Sequence, residues 1–365
     1  MDHGPPKPAS DLRASFRPLS PSKIHLYRDD LFLDHDPGPG HPENAARLSA
    51  VYTDLDLAPM AGLVNCKPAA ASESDILRVH DPLYFRAVSR TEGRAHVQLD
   101  PDTATSQRSF EAALASAGAV VDGCRAVLGK EAQGAFILGR PPGHHAEKTS
   151  AMGFCLFNNA AVAAAWAKEE VGLSRILILD PDVHHGNGTQ HSFYRDPNVL
   201  YVSSHRFPFF PGSGWFDEIG EEKGAGFTVN LPLPPGQEDD DFLYLYQEVV
   251  DPIVQNFEPE LILVSAGFDI WHRDPLGGMG MQAAGFRRLF ALFRSWADRF
   301  CPGRLVCTLE GGYDPAGNQA GVRAALEVMT AKEAEALEPE PPAGARAREV
   351  ASRARQCLAP FWPSL

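Results

Sequence analysis

Short apolar runs alternate along most of this chain with longer segments whose apolar residues recur at helical spacing. This alternation is typical of β-α-β units built around a mainly parallel sheet. The predicted strands are Lys23–Arg28, Ala135–Leu138, Arg175–Asp180, Val199–Ser203, Gly226–Leu231, Leu261–Ser265 and Arg304–Leu309. The predicted helices are Pro42–Leu55, Ser109–Leu128, Asn158–Val171, Asp239–Phe257, Met281–Phe300 and Ala316–Met329. We therefore expect an α/β fold in which helices flank a mainly parallel central sheet.

Two helix starts are predicted from local sequence signals. Pro42 suits the first position of a helix, and Glu43 places an acid in the first turn. Ser72 and Asp75 have the spacing of a cap in front of a short helix.

We find no internal repeat and no second core in the 365 residues, so we expect one domain over residues 23–330. The Pro-rich residues 1–22 are predicted to form a flexible N-terminal segment, and residues 331–365 a C-terminal linker and tail.

Composition narrows the function classes. A net charge of −14 argues against nucleic acid as a direct partner, and it suits a cationic substrate. No apolar run is long enough to span a membrane and no secretory signal opens the chain, so we expect a cytoplasmic protein without a membrane partner. The abundance of Ala, Gly, Pro and Arg suggests a bacterial source. Nothing in the sequence indicates the oligomeric state.

Polar groups stand where the apolar runs end. Asp180 and Ser203 are the last residues of predicted strands, and Asp269 and Glu310 follow predicted strands within a few residues. In open α/β sheets the ligand crevice lies at the carboxyl ends of the strands. We therefore expect the chemistry of this protein at one edge of the sheet.

The densest polar segment places Asp182 and His184 two residues apart, so that both side chains project to the same side of an extended segment. Carboxylate and imidazole groups are both good zinc ligands, and a catalytic zinc takes three protein ligands and leaves one position open. Asp269 is the candidate for the third ligand, although it would equally suit a turn or a helix cap.

His144 and His145 are adjacent on a proline-stiffened loop and suit acid–base catalysis near neutral pH; exposed loop histidines or metal ligands are the alternatives. Asp180 and Asn187 are candidate orienting partners, one charged and one neutral. Tyr313 follows two glycines and is a candidate oxyanion donor, or else simply a packed loop residue.

Taken together, these segments resemble the histone deacetylase family, in particular its class II-type members and the bacterial histone deacetylase-like amidohydrolases. Seven motifs stand in the order found in that family, over most of the chain. They are His41–Glu43 with Arg47, Arg140–Ala146, Gly153–Asn159, Asp180–Thr189, Phe209–Gly214, Ser265–Asp269 and Leu309–Tyr313.

The resemblance implies an arginase- and deacetylase-like fold with a catalytic Zn²⁺ ion and specific roles for these residues. Zinc would bind Asp182, His184 and Asp269. The acid–base pair would be His144 with Asp180 and His145 with Asn187, and His145 would be the general base. Tyr313 would polarise the substrate carbonyl.

The resemblance also implies a narrow substrate channel and a structural K⁺ ion. Gly153, Phe154 and Phe210 would line the channel, and Arg47 would line an inner cavity through which acetate leaves. The potassium site would use Asp180, Asp182, His184, Ser203 and Ser204.

Relatives that prefer acetylpolyamines carry a gatekeeper glutamate where this chain has Leu276. A neutral side chain there favours acyl-lysine. An acid in an earlier loop could instead serve polyamines, and that loop contains Asp100 and Asp102. In lysine deacetylases an acid of this loop holds the substrate backbone, and Asp102 is the candidate.

The predicted function is zinc-dependent hydrolysis of the amide of an acetyl-lysine-like peptide or protein, through metal-bound water, the histidine pair and Tyr313. The alternatives are a deacetylase of acetylpolyamines or other small amides, and an inactive acyl-lysine-binding scaffold. A binuclear manganese hydrolase would need more bridging carboxylates than the single Asp-x-His segment offers.

Overall fold

A computed structural model of the protein describes residues 23–334 and 342–365, so the predicted flexible segment 1–22 lies outside the described residues. Eight strands form the main sheet: β1 Ile24–Tyr27, β2 Leu63–Cys66, β5 Ala135–Ile137, β6 Ile176–Asp180, β7 Val199–Arg206, β8 Thr228–Leu233, β9 Leu261–Ala266 and β10 Leu305–Leu309. Two further short strands pair with each other: β3 Val97–Gln98 and β4 Ala104–Thr105.

The main sheet has the order β2-β1-β5-β10-β9-β6-β7-β8, and all of its neighbouring strands are parallel. The prediction of a mainly parallel sheet is therefore confirmed. Because the strands run in one direction, their carboxyl ends share one edge. At that edge Asp180 pairs with Ser203 across β6 and β7.

Helices cover both faces of the sheet. They are α1 Ala46–Leu57, α2 Glu73–Ile76, α3 Pro82–Ser89, α4 Ser109–Leu128, α5 Asn159–Trp166, α6 Asn187–Phe193, α7 Asp239–Leu245, α8 Asp251–Phe257, α9 Ala283–Phe300, α10 Pro315–Thr330 and α11 Ala345–Leu358. π-helical turns at Ala167–Val171 and Tyr246–Val250 extend α5 and join α7 to α8, and short 3-10 turns occupy Asp30–Leu33 and Glu222–Gly224.

Strand β6 illustrates how the sheet separates two cores. Leu177 and Leu179 pack into the core that contains residues of α1 and α7 to α11, whereas Ile176 and Ile178 face the core formed with α2 to α6. All four side chains are fully buried, which explains why the predicted strands appear as continuous apolar runs rather than as alternating patterns.

The structure differs from the prediction at several local points, and the helices α3 and α6 and the short strands β3 and β4 were not predicted. Helix α1 begins at Ala46 rather than at Pro42, because Pro42 and Asn44 belong to a hydrogen-bonded turn in front of it. Strand β2 was not predicted, since it lies at the sheet edge with its central residues exposed and lacks a continuous apolar run. The cap at Ser72 is confirmed as a capping box with Asp75.

The predicted tail contains an ordered element. Within residues 331–365, helix α11 packs on the face of the sheet next to β8 and buries Val350, Ala354 and Leu358. Trp362 follows it and donates a hydrogen bond to the carbonyl of Gly226 at 2.8 Å. Part of the predicted tail is therefore a packed helix, and its apolar stripe supplies the packing.

None of the helices in the described parts of the chain combines the length and the apolar character needed to cross a membrane.

Candidate active site

The candidate site lies at the carboxyl ends of the parallel strands. Asp180 ends β6, and Asp182 and His184 follow it directly. Asp269 lies three residues after the end of β9. The sequence predicted this convergence because each residue follows a strand, and the shared direction of the strands brings the residues to the same edge.

Asp182, His184 and Asp269 converge in the buried interior. Their candidate ligand atoms all lie within 4.8 Å of one another. Nδ1 of His184 lies 3.2 Å from Oδ1 of Asp182 and 3.1 Å from Oδ2 of Asp269. Both aspartates are completely buried. Backbone amides hold the carboxylates in place, since Val183 donates to Asp269 and Gly311 to Asp182, each at 2.8 Å.

The charge balance of this trio fits a bound cation. Burial, together with the neighbouring Asp182 carboxylate, raises the pKa of Asp269 to about 7. Two buried carboxylates around one imidazole are costly without a counter-charge. A Cβ atom on Gly311 would lie 2.2 Å from Asp269 Oδ2, so only glycine lets the loop after β10 approach this closely. Two oxygen ligands and one nitrogen ligand form a donor set suited to zinc.

His144 and His145 lie side by side with ring centroids 4.0 Å apart, but their partners differ. Nδ1 of His144 lies 3.1 Å from Oδ2 of Asp180, and Nδ1 of His145 lies 2.8 Å from Oδ1 of Asn187. The structure therefore brings together the pairs that the family resemblance implied.

These environments shift the two pKa values in opposite directions. Burial lowers the pKa of His144, but Asp180 and Asp182 outweigh it and raise the value to about 10. Burial and the nearby His144 and His184 rings hold the pKa of His145 well below its usual range. One ring thus favours the protonated form and the other the neutral form.

Tyr313 lies beside the trio, with its ring centroid 6.4 Å from that of His184. Its backbone amide donates to Asp274 at 2.6 Å, which fixes the turn after the two glycines. Burial raises the pKa of the Tyr313 hydroxyl well above its usual range, although the Arg47 guanidinium acts in the opposite direction. The hydroxyl therefore keeps its proton and is able to donate it in a hydrogen bond.

Arg47 is fully buried behind Tyr313, with its guanidinium carbon 4.8 Å from the ring centroid. It donates to the carbonyls of Glu310 and Gly312 and to the carboxylate of Glu43. Arg140 also donates to Glu43, at 2.6 and 2.8 Å. These contacts brace the loop that carries Tyr313, and they hold Arg47 in the buried interior.

Gly153 and Phe154 form a left-handed turn beside the histidine pair, with φ values of 56° and 69°. A Cβ atom on Gly153 would lie 2.4 Å from Cδ2 of His145, so the position requires glycine. Asp102 and Thr103 accept hydrogen bonds from the backbone amides of Gly153 and Phe154 at 3.1 and 2.9 Å. Asp102 thus lies next to the predicted channel wall, with one carboxylate oxygen already engaged.

Phe210 packs edge-on against His145 at a centroid distance of 5.1 Å and is 39% exposed, a position that suits a channel wall. Leu276 belongs to the turn of Asp274, which also holds the Tyr313 amide. Phe209 was missed by the sequence reasoning although it lies in the same motif as Phe210, and it stacks on His184 at 5.2 Å.

Of the predicted potassium residues, Ser203 is a strand neighbour of Asp180, and Ser204 follows it in β7. Besides its pairing with Asp180 across the strands, Ser203 lies within hydrogen-bond distance of His205, at 2.9 Å. The Ser204 hydroxyl lies 3.1 Å from that of Tyr246.

Comparisons with known proteins agree with this geometry. The family model described as histone deacetylase domain matches residues 41–329. The chain belongs to the histone deacetylase family. A probable deacetylase from Archaeoglobus fulgidus is 39% identical over 289 residues, which cover 78% of this chain and 80% of that protein. A histone deacetylase-like amidohydrolase from Pseudomonas aeruginosa is 41% identical over 282 residues, which cover 76% of this chain and 73% of that protein.

The fold agrees as well. A crystal structure of the HDA15 HD domain matches with a TM-score of 0.88 and 34% identity, covering 94% of this chain and 96% of that chain. This histone deacetylase family member is therefore a hydrolase with the expected α/β fold, and its buried Asp182–His184–Asp269 group is compatible with a metal ion.

Glu310 is a buried residue of the site to which the sequence assigned no role. One of its carboxylate oxygens accepts hydrogen bonds from the amides of Gly143 and His144, at 2.6 and 3.1 Å. Its position directly after β10 was the signal available in the sequence. Only the fold shows that its carboxylate reaches the histidine loop.

Proposed function

We propose that this protein is a zinc-dependent deacetylase that hydrolyses the amide of acetyl-lysine-like peptides or proteins. The observation that carries the proposal is the position of the Asp182–His184–Asp269 trio beside two histidines with opposite pKa shifts. Catalysis by paired acid–base groups relies on such a difference.

Asp182, His184 and Asp269 would hold the zinc ion. When bound, zinc would act as a Lewis acid toward the amide carbonyl and would lower the pKa of a coordinated water molecule.

The remaining chemistry belongs to the side chains. His145 carries its proton on Nδ1, facing Asn187, so that Nε2 is available to accept a proton from the attacking water. The Tyr313 hydroxyl donates a hydrogen bond to the carbonyl oxygen as negative charge develops there. The histidine pair then delivers a proton to the leaving amine, while Asp180 stabilises the charged form of His144.

Several contacts support an acyl-lysine substrate. Phe154 and Phe210 lie near the catalytic rings and would enclose an aliphatic stem. Leu276 adds no charge to the turn beside Tyr313, so a distal ammonium group would find no partner in that side chain. We further propose a structural K⁺ ion bound by Asp180, Asp182, His184, Ser203 and Ser204.

The test compares turnover of an acetyl-lysine peptide and of an acetylated diamine by zinc-loaded protein, with a chelated sample as control. We expect preference for the peptide and loss of activity on chelation. Preference for the diamine would keep the chemistry but move recognition to the acids around Asp100 and Asp102. Absence of turnover on both substrates would contradict the proposed function.

A further inference from the structure

The side chain of Asn187 has two unlike ends, and its orientation decides which end faces the general base. Its Oδ1 lies 2.8 Å from Nδ1 of His145. An amide oxygen only accepts hydrogen bonds, so the ring must carry its proton on Nδ1 and leave Nε2 with a free lone pair. A flipped amide would present NH₂ to Nδ1 and favour the opposite tautomer, which cannot accept a proton at Nε2.

Three acceptors surround the NH₂ group of Asn187. Oε1 of Glu147 lies at 2.5 Å, the carbonyl oxygen of His145 at 3.3 Å, and Sδ of Met152 at 3.3 Å. Glu147 is the charged member of this set and forms the shortest contact. A flipped amide would place Oδ1 against the Glu147 carboxylate, so the electrostatic penalty favours the observed orientation.

Glu147 is itself held in place. Its Oε1 lies 2.8 Å from Nδ1 of the partly exposed His191. Its backbone donates to Ser150 and accepts from His80, and both contacts are independent of the side chain. Burial raises the pKa of the Glu147 carboxyl, but hydrogen bonds from His191 and Asn187 outweigh it and hold the pKa below its usual range. At neutral pH the carboxylate is therefore charged.

We propose that Glu147 is a positioning residue, which orients the Asn187 amide and thereby sets the tautomer of His145. The role rests on the proposed function, because it matters for catalysis only if His145 takes a proton at Nε2. His191 supports Glu147 from the solvent side. This chain of contacts links the buried general base to the protein surface through three side chains.

Two substitutions at Glu147 test the orientation. Glu147→Met replaces the charged acceptor by a weakly accepting thioether with little change in volume, and Glu147→Lys reverses the charge that faces the amide. We expect kcat to fall about 10-fold in the first variant and by on the order of 10²-fold in the second, because general base catalysis is impaired. KM should change little, since the tautomer affects proton transfer rather than substrate binding.

Asn187→Asp provides a rescue, because both oxygens of a carboxylate accept hydrogen bonds and no orientation is needed. On its own this substitution places two carboxylates in contact and should lower kcat. Combined with Glu147→Lys it should restore kcat at least about tenfold relative to Glu147→Lys alone, a coupling that a double-mutant cycle measures. The matched control is Lys148→Glu, an exposed neighbour with a charge change of equal size, which should leave kcat unchanged.

The imidazole ¹⁵N chemical shifts of His145 report the tautomer without any turnover. We expect the Nδ1–H form in the unsubstituted protein and the Nε2–H form in Glu147→Lys. If the unsubstituted protein has no activity, the proposed function fails while this measurement still tests the positioning role. An unchanged tautomer in both Glu147 variants, or additive losses without rescue, would overturn the inference and leave Glu147 as a loop-stabilising residue. If Glu147→Lys does not fold, the tautomer and the kcat of Glu147→Met, alone and combined with Asn187→Asp, test whether Glu147 orients the Asn187 amide.

Discussion

At the scale of single residues, the environment of Tyr313 shows how one side chain is prepared for its proposed role. Arg47 lies behind the ring, and Asp274 holds the backbone amide. The hydroxyl retains its proton because burial raises its pKa. The phenol therefore meets the requirements of a hydrogen-bond donor that is fixed before the substrate binds.

Replacing Tyr313 by Phe should lower kcat by on the order of 10²–10³-fold, because one oxyanion donor is lost. Zinc content should stay near that of the unsubstituted protein, since the phenol is not one of the three candidate ligands. Steady-state kinetics and metal analysis of the two proteins test this. Equal turnover would remove Tyr313 from the mechanism.

The buried position of His80 predicts that the protein becomes less stable as the pH falls. His80 is buried, its Nδ1 lies 2.9 Å from the Glu147 carbonyl, and its Nε2 accepts from the Asn158 amide at 2.9 Å. Burial lowers its pKa to about 4. Between pH 6.5 and 4 the His80 imidazole binds a proton in the unfolded chain but stays neutral in the folded chain. The stability that the neutral, buried His80 contributes is therefore complete above pH 6.5 and is lost as the pH falls toward 4.

The expected loss is about 2 kcal/mol at pH 5 relative to pH 7. His80→Gln keeps one donor and one acceptor but does not titrate, so its unfolding free energy should depend less on pH across this window. Urea unfolding of both proteins at pH 7 and pH 5 measures the difference. If the unfolding free energies of the two proteins change equally between pH 7 and pH 5, His80 is not the source of the pH-dependent loss of stability.

At the scale of elements, the predicted strands and helices follow from apolar runs, and the exceptions have physical reasons. β2 lies at the sheet edge and buries little. α11 was assigned to a tail because it follows a Pro-rich stretch and is rich in basic residues, yet Val350, Ala354 and Leu358 form a buried stripe along it. Helices of this kind are stabilised by the surface they cover rather than by their own composition.

Leu358→Ala should destabilise the protein by about 2–4 kcal/mol, because the side chain is 1% exposed and its removal leaves a cavity. Gln356→Ala, at an exposed position of the same helix, is the control and should change the unfolding free energy by less than about 0.5 kcal/mol. Turnover per folded molecule should be unaffected in both variants. A small, equal effect in the two variants would show that α11 contributes little to stability.

At the scale of the whole molecule, the candidate metal ligands connect two neighbouring strands. Asp182 and His184 follow β6, and Asp269 follows β9. A bound ion would neutralise two buried carboxylates and join the two loops. An ion that binds the folded chain but not the unfolded chain stabilises the folded state, and well above the dissociation constant this stabilisation grows with the logarithm of the free ion concentration.

Removing the metal should therefore lower thermal stability as well as activity. At a free zinc concentration 100 times the dissociation constant, the folded state should gain about 2.7 kcal/mol over the chelated protein. Calorimetry with and without chelator measures this, and added zinc should restore both stability and turnover. In the Asp269→Asn variant, the increase in stability caused by zinc should be smaller, because one charged ligand is lost. An increase as large as that of the unsubstituted protein would show that the ion binds elsewhere.

The sequence by itself determined the α/β class, the main strands and helices, and the polar residues at the strand ends, because these depend on local apolar patterns and on chain direction. Only the tertiary structure decided the strand order, the burial of α11 and the reach of Glu310 to the histidine loop. Glu147 gave no signal in the sequence, because its proposed role depends on a hydrogen bond from Asn187, forty residues away. Contacts between distant segments depend on how the sheet and its loops pack, and no local pattern encodes them.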